Sequence, residues 1–309
     1  ALLSVYDVVG EAAAEVAASH HCKAAGTVEE ILSDDAVDAV LIASPTDTHA
    51  DLLEAGAKAG KAVFCEKPID LSLERVDRCA TAIAACDVLI QIGFNRRFDP
   101  GHRAARQALE AGEIGDLHQV IITSRDPEIP PRDYLESAGG LFRDMTIHDF
   151  DLARFMLGEE PEAVFAIAGA LGDPALGAEL DEIDSAMIIM RSASGKMCHI
   201  NNSRSAVYGY DQRVELLGNS GMVISDNRKS HELRRYSASQ TEAGQPYLYF
   251  FIERYCEAFI AELDAFIDAV EHGTPCEVGF DDGHRALMLA EAAYRSLQSG
   301  TMVKVGAAG

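Results

Sequence analysis

Two rhythms of apolar and polar positions divide the chain. In the first, short apolar runs alternate with stretches whose apolar residues recur at helical spacing. Residues 37–43, 62–65 and 88–92 are nearly continuous apolar runs, as in parallel strands buried on both faces. Residues 1–7, ending in Asp7, and the very short 22–25 read as two further strands. Helices are predicted over 11–18 on Ala-rich composition, over 28–32 behind a Thr27 cap, over 50–59 stopped by Gly60, and from a Ser72 cap to about residue 85. Strands alternating with helices predict an α/β fold: a Rossmann-type doubly wound parallel sheet over residues 1–95, whose ligands sit beyond the carboxyl ends of the strands.

After a helix at 103–111 the rhythm changes. Strand-like segments at 118–123, 162–168, 185–190, 196–201, 213–217, 222–225 and 232–236, punctuated by Gly195, Gly218 and Gly221, predict a second, α+β domain over 96–309 with a large, mainly antiparallel sheet. Two long helices, 249–272 and 283–298, close the chain. Between the strands, Met145, Phe150, Leu152, Phe155 and Met156 recur at roughly helical spacing, so Asp144 and His148, four apart, are expected on one face of a single helix. A carboxylate one turn from an imidazole can orient it and stabilise its charged form. Acidic residues in a first helical turn are also ordinary helix-start chemistry.

Charge and composition narrow the partners. The 26 Lys+Arg against 50 Asp+Glu give a formal charge of −24, which repels phosphate backbones and anionic membranes, so neither nucleic acid nor membrane is an expected partner. A hydrophobic content of 48% over 309 residues supports a substantial core. No run approaches the roughly 20 apolar residues of a membrane span, and the opening residues carry no charged leader. Seven cysteines without a Cys-x-x-Cys pair suit reduced thiols, and a cytoplasmic location is expected.

Polar clusters follow three strands at the ligand-binding edge. Ser44, Pro45, Thr46 and His49 follow one strand and Glu66 and Lys67 the next, where a cofactor would be held; Asn95 to Arg97 follow the third. Pro68 biases Lys67 towards extended backbone, and a fixed ammonium there could stabilise a developing alkoxide. Asp7, at the end of the first strand, could accept hydrogen bonds from the ribose hydroxyls of NAD, or could be a turn aspartate. No Gly-x-Gly-x-x-Gly occurs in the 309 residues. In strand order 3-2-1-4-5-6, the strand, glycine turn and helix that carry it would occupy roughly 25 to 30 residues before Ala1, and the sheet is expected to break between the strand ending at Asp7 and that beginning near Val37.

In their order and spacing, Ser44-Pro45-Thr46-Asp47-Thr48-His49, Cys65-Glu66-Lys67-Pro68, Gly93-Phe94-Asn95-Arg96-Arg97-Phe98-Asp99, Ser124-Arg125-Asp126-Pro127, the segment 140–151 and Tyr208-Gly209-Tyr210-Asp211 resemble the Gfo/Idh/MocA oxidoreductase family, and within it the inositol 2-dehydrogenases. The resemblance implies that Lys67, Asp144 and His148 match a catalytic trio and that Asn95, Arg97, Asp126 and Tyr208 lie near a polyol substrate. It implies NAD-dependent oxidation of a secondary hydroxyl of a cyclitol, myo-inositol first, to a ketone, with a sugar dehydrogenase as the near alternative. It also implies a homo-oligomer, a homotetramer, joined through an open sheet face. From other classes, Asp144, His148, Asp149 and Asp151 could ligate a divalent metal in a hydrolase, although no metal is expected, or the chain could be a non-catalytic polyol sensor.

Overall fold

The computed structural model describes residues 1–306, which fall into two compact units. The first comprises Ala1–Gly93 with Ala265–Phe280, the second Phe94–Asp264 with the residues from Asp281 onward.

In the first unit β1 (Ser4–Val5), α1 (Gly10–His20), β2 (Lys23–Ala24), α2 (Val28–Leu32), β3 (Ala39–Ile42), α3 (His49–Lys58), β4 (Ala62–Glu66), α4 (Leu73–Ile83) and β5 (Ile90–Gly93) alternate. All strand pairs are parallel, β1 with β2 and β3-β4-β5 in that order. The two groups form separate sheets among the described residues, so hydrogen bonding breaks between β1 and β3, where the strand order placed it. The anticipated caps are present: Thr27 Oγ1 accepts from Glu30 N at 3.2 Å and Ser72 Oγ from Arg75 N at 3.3 Å. Gly56 lets α3 lie close on the sheet; a Cβ there would stand 3.0 Å from Val63 and 3.1 Å from Val40. Residues 265–280, expected in the second domain, belong here instead. Phe266 packs edge-on against Phe64 with ring centroids 5.7 Å apart, and Val278 O accepts from Ile92 N, so this segment covers β4 and extends the bonding of β5.

The second unit is built on β6 (Leu117–Arg125), β7 (Pro161–Gly169), β8 (Ser185–Ser192), β9 (Met197–Ser203), β10 (Asp211–Gly218), β11 (Met222–Ser225) and β12 (Val303–Lys304). They form one seven-stranded sheet of order β11-β10-β6-β9-β8-β7-β12. Only β6 and β9 pair in parallel; the rest is antiparallel. The helices are α5 (Pro100–Glu110), α6 (Arg132–Ala138), α7 (Leu141–Asp144), α8 (Thr146–Leu157), α9 (Pro174–Leu180), α10 (Phe251–His272, whose end belongs to the first unit) and α11 (Phe280–Ser299). Period-2 alternation sorts the two faces of the sheet. Val120, Ile122, Ile188, Met190, Ile200, Val214 and Leu216 are buried on one face, whereas Ile167, Met187, Ile189, Met222 and Ile224 are exposed.

Two expectations are corrected. The helix carrying Asp144 and His148 is not continuous: His148 N bonds Met145 O, a tighter i−3 contact that separates α7 from α8. Residues 232–236 form no strand; Arg235 makes an isolated bridge to Ala243, and Glu232, Arg234 and Arg235 offer no apolar alternation to bury. Short α6, α9 and β12 lie outside the elements that the apolar pattern predicts.

Candidate active site

At the carboxyl edge of the parallel strands, Asp7 follows β1. Its Oδ1 accepts the Val9 amide at 2.7 Å, the turn role its position allows, yet the side chain is exposed, so the other oxygen can meet a ribose hydroxyl. After β3, Pro45 leads into a 3-10 turn at Thr46–Thr48, tied by Ser44 Oγ to Thr48 Oγ1 at 2.5 Å. His49 has a different task from the one expected. Its ring is 2% exposed with Nδ1 2.7 Å from Pro68 O and Nε2 2.8 Å from Ser44 O, so it braces the loops after β3 and β4 and presents no nitrogen to a cofactor. Lys67, half-buried, precedes a cis proline in the second of those loops. Glu66 lies over Gly93, where a Cβ would come within 2.8 Å of its Oε2. Desolvation raises the Glu66 carboxyl above its ordinary range against the pull of Lys67 and His49. An exposed carboxylate at the end of β1 and a hydroxyl-rich loop after β3 suit a dinucleotide.

In the second unit, adjacent arginines grip carboxylates on α8. Asp149 and Asp151 point about 200° apart around the helix and so reach different neighbours. Buried Arg96 pairs with Asp149, which also accepts from Asn202 Nδ2 at 2.8 Å, while Thr146 Oγ1 donates to Asn202 Oδ1 at 2.7 Å. Arg97 Nε donates to Asp151 at 2.7 Å and Nη2 bonds both Asp151 and Asp282, the latter at 2.8 Å. These pairs lock α8 to the sheet and to α11. They also remove Asp149 and Asp151 from the proposed metal-ligand set, because a carboxylate held by a buried guanidinium is already neutralised. Arg97, expected at the polyol, has two of its three nitrogens engaged, so any polyol contact falls to Nη1.

Beside this scaffold stand Asp144 and His148, both half-buried. The His148 ring meets Phe94 edge-on at 6.0 Å. Asp144 accepts from Tyr134 OH through Oδ1 and from Arg204 Nη2 through Oδ2, each at 2.7 Å. Asp126, at the end of β6, has its carboxyl pushed up to about 6 by burial, with Arg204 and Arg96 opposing the shift. Tyr208 OH donates to Asp211 at 2.8 Å and accepts from Arg125 Nη1 at 2.7 Å. Asn95 is buried at the start of a 3-10 turn. Thus Asn95, Arg97, Asp126, Tyr208, Asp144 and His148 all belong to the second unit, whereas Lys67 belongs to the first. Sequence reasoning missed Arg204 and Tyr134. Arg204 is 60 residues from Asp144 and carries no local pattern, so its motif neighbour Tyr208 was the nearest available signal.

Comparison with known proteins gives this geometry its context. Residues 1–94 match the oxidoreductase family with an NAD-binding Rossmann fold, and residues 102–224 match the GFO/IDH/MocA C-terminal domain. The chain is 45% identical over 304 residues to an inositol 2-dehydrogenase of Rhizobium meliloti (strain 1021), spanning 98% of this chain and 91% of that protein. It is 46% identical over 276 residues to a myo-inositol 2-dehydrogenase of Thermotoga maritima, spanning 89% and 82%. The structure superposes on a scyllo-inositol dehydrogenase of Lactobacillus casei, solved with NAD(H) and scyllo-inositol bound, with a TM-score of 0.90 at 27% identity, covering 99% of this chain and 92% of that one. The chain belongs to the GFO/IDH/MocA oxidoreductase family and is an NAD-dependent dehydrogenase.

Proposed function

We propose that the enzyme oxidises a secondary hydroxyl of a cyclitol, with myo-inositol converted to its 2-keto form as the leading reaction. The observation that carries this reading is the 45% identity to an inositol 2-dehydrogenase over 98% of the chain. When bound, NAD supplies the hydride acceptor at the carbinol carbon. His148 takes the hydroxyl proton, Lys67 stabilises the alkoxide that forms, and Asp144 orients His148 or a neighbouring substrate hydroxyl. The hydroxyl proton thus ends on the imidazole, and bound NAD would take the hydride from the carbinol carbon as the carbonyl forms. Asn95, Asp126, Tyr208 and Arg97 Nη1 supply polar contacts for the remaining hydroxyls. Asp7, Ser44, Pro45, Thr46 and Glu66 hold the cofactor, with His49 fixing two of their loops. Incubation with myo-inositol and NAD, followed by NADH absorbance, tests the reading.

Assembly is part of the same proposal. Ile167, Met187, Ile189, Met222 and Ile224 expose apolar side chains on one sheet face, and family resemblance supports covering it with further copies in a homotetramer. Light scattering at micromolar concentration is expected to give an oligomer; a monomer would contradict it. A cytoplasmic location fits the seven free cysteines.

A further inference from the structure

We infer that Arg204 and Tyr134 are positioning residues for Asp144, holding its carboxylate ionised and in a single orientation. The inference rests on the reading of Asp144 and His148 as partners in proton transfer.

The two donors arrive from opposite directions along the chain. Tyr134 lies on α6, ten residues before Asp144, and Arg204 follows β9, sixty residues after it. Each grips a different oxygen at 2.7 Å, so the carboxylate plane cannot turn without breaking one contact. Hydrogen bonds to an ionised acceptor are about twice as strong as neutral ones. Arg204 is 1% exposed, and its Nε and Nη1 have no hydrogen-bond partner among the described residues, so the side-chain hydrogen bond of this buried cation goes to Asp144, while its charge also acts on Asp126. The main chain of Arg204 is anchored as well: its amide bonds Asp184 O at 2.8 Å, and the Asp184 carboxylate accepts the amides of Leu171, Gly172 and Asp173. Burial and the charge of Asp144 raise the Tyr134 phenol well above its ordinary range, which keeps it a donor throughout the working pH.

Arg204, Tyr134, Asp126 and His148 are among the charged and titratable groups near Asp144, and Asp126 in turn feels the charges of Arg96 and Asp149. Removing the Arg204 cation raises the pKa of Asp144, and it also raises that of a neighbouring imidazolium by withdrawing positive field. Both changes move the acidic limb of activity the same way, to higher pH.

Three variants test this. Tyr134→Phe, at a residue 47% exposed and thus safe for folding, is expected to lower kcat by about 10-fold, with the polyol KM within about threefold and the acidic limb of kcat/KM moved up by about half a unit. Arg204→Ala is expected to lower kcat by about 10²-fold and move the limb by about one unit, with partial recovery on adding guanidinium. Unmoved acidic limbs in folded variants, with no guanidinium rescue, overturn the inference. If Arg204→Ala does not fold, Tyr134→Phe alone decides. His148→Ala separates the two levels: a collapse there with unmoved limbs in the other variants defeats only the positioning role, whereas full activity there defeats the proton-transfer reading itself.

Discussion

His148→Ala is expected to lower kcat by about 10²-fold or more, the range a positioned general base supplies. The argument starts from the break between α7 and α8, which leaves His148 in the first turn of α8. That helix is fixed by buried charge pairs on two sides, Arg96–Asp149 towards the sheet and Arg97–Asp151 towards Asp282. A base on so constrained an element holds its geometry at little entropic cost. Because only neutral imidazole accepts the proton, the wild-type rate should rise with pH through the titration of His148, and the alanine variant should lose that limb. A variant with unchanged kcat removes His148 from the mechanism.

Lys67→Met is expected to lower kcat by about 10²- to 10³-fold with a smaller change in KM, as for loss of a group aimed at charge that develops only in the transition state. Lys67 is placed by β4, by the His49 brace that ties Pro68 O to Ser44 O, and by the proline that follows it. Methionine keeps the stem and removes the ammonium, so packing is conserved while charge is lost. A fall in affinity alone, with kcat intact, would make Lys67 a ground-state binding residue instead.

What could be seen in advance follows the physics of each feature. The strands at 62–66 and 90–93 were legible because parallel strands buried on both faces leave unbroken apolar runs; 39–42 carries the same run, but Leu41 is 55% exposed, so one of its faces is open. Thr27 and Ser72 were legible because a cap is a local interaction, closed within three residues. The apolar spacing around His148 is helical, but the break at Met145 leaves no mark in side-chain periodicity, since it is one tightened backbone turn. Residues 265–272 looked like the end of a long helix of the second domain; the attachment of 265–280 to the first unit depends on Phe266 meeting Phe64, a contact across about 200 positions that no local pattern encodes.

The site divides along the same line. Lys67, Asp144 and His148 stand in short motifs and could be singled out. The pairings of Arg96 with Asp149, Arg97 with Asp151 and Arg204 with Asp144 join residues 53, 54 and 60 apart, and each partner alone resembles an ordinary surface charge. His49 looked like a polar loop residue at a cofactor edge, and the carbonyls on both sides of its ring became evident only in three dimensions.

The central claim is that this dehydrogenase oxidises a cyclitol, and steady-state NADH formation with a panel of cyclitols and sugars tests it most directly. The account predicts one NADH formed per myo-inositol oxidised to its 2-keto product, turnover insensitive to chelators, and lower kcat/KM for the sugars. Efficient oxidation of a sugar with no NADH from any inositol isomer would contradict it.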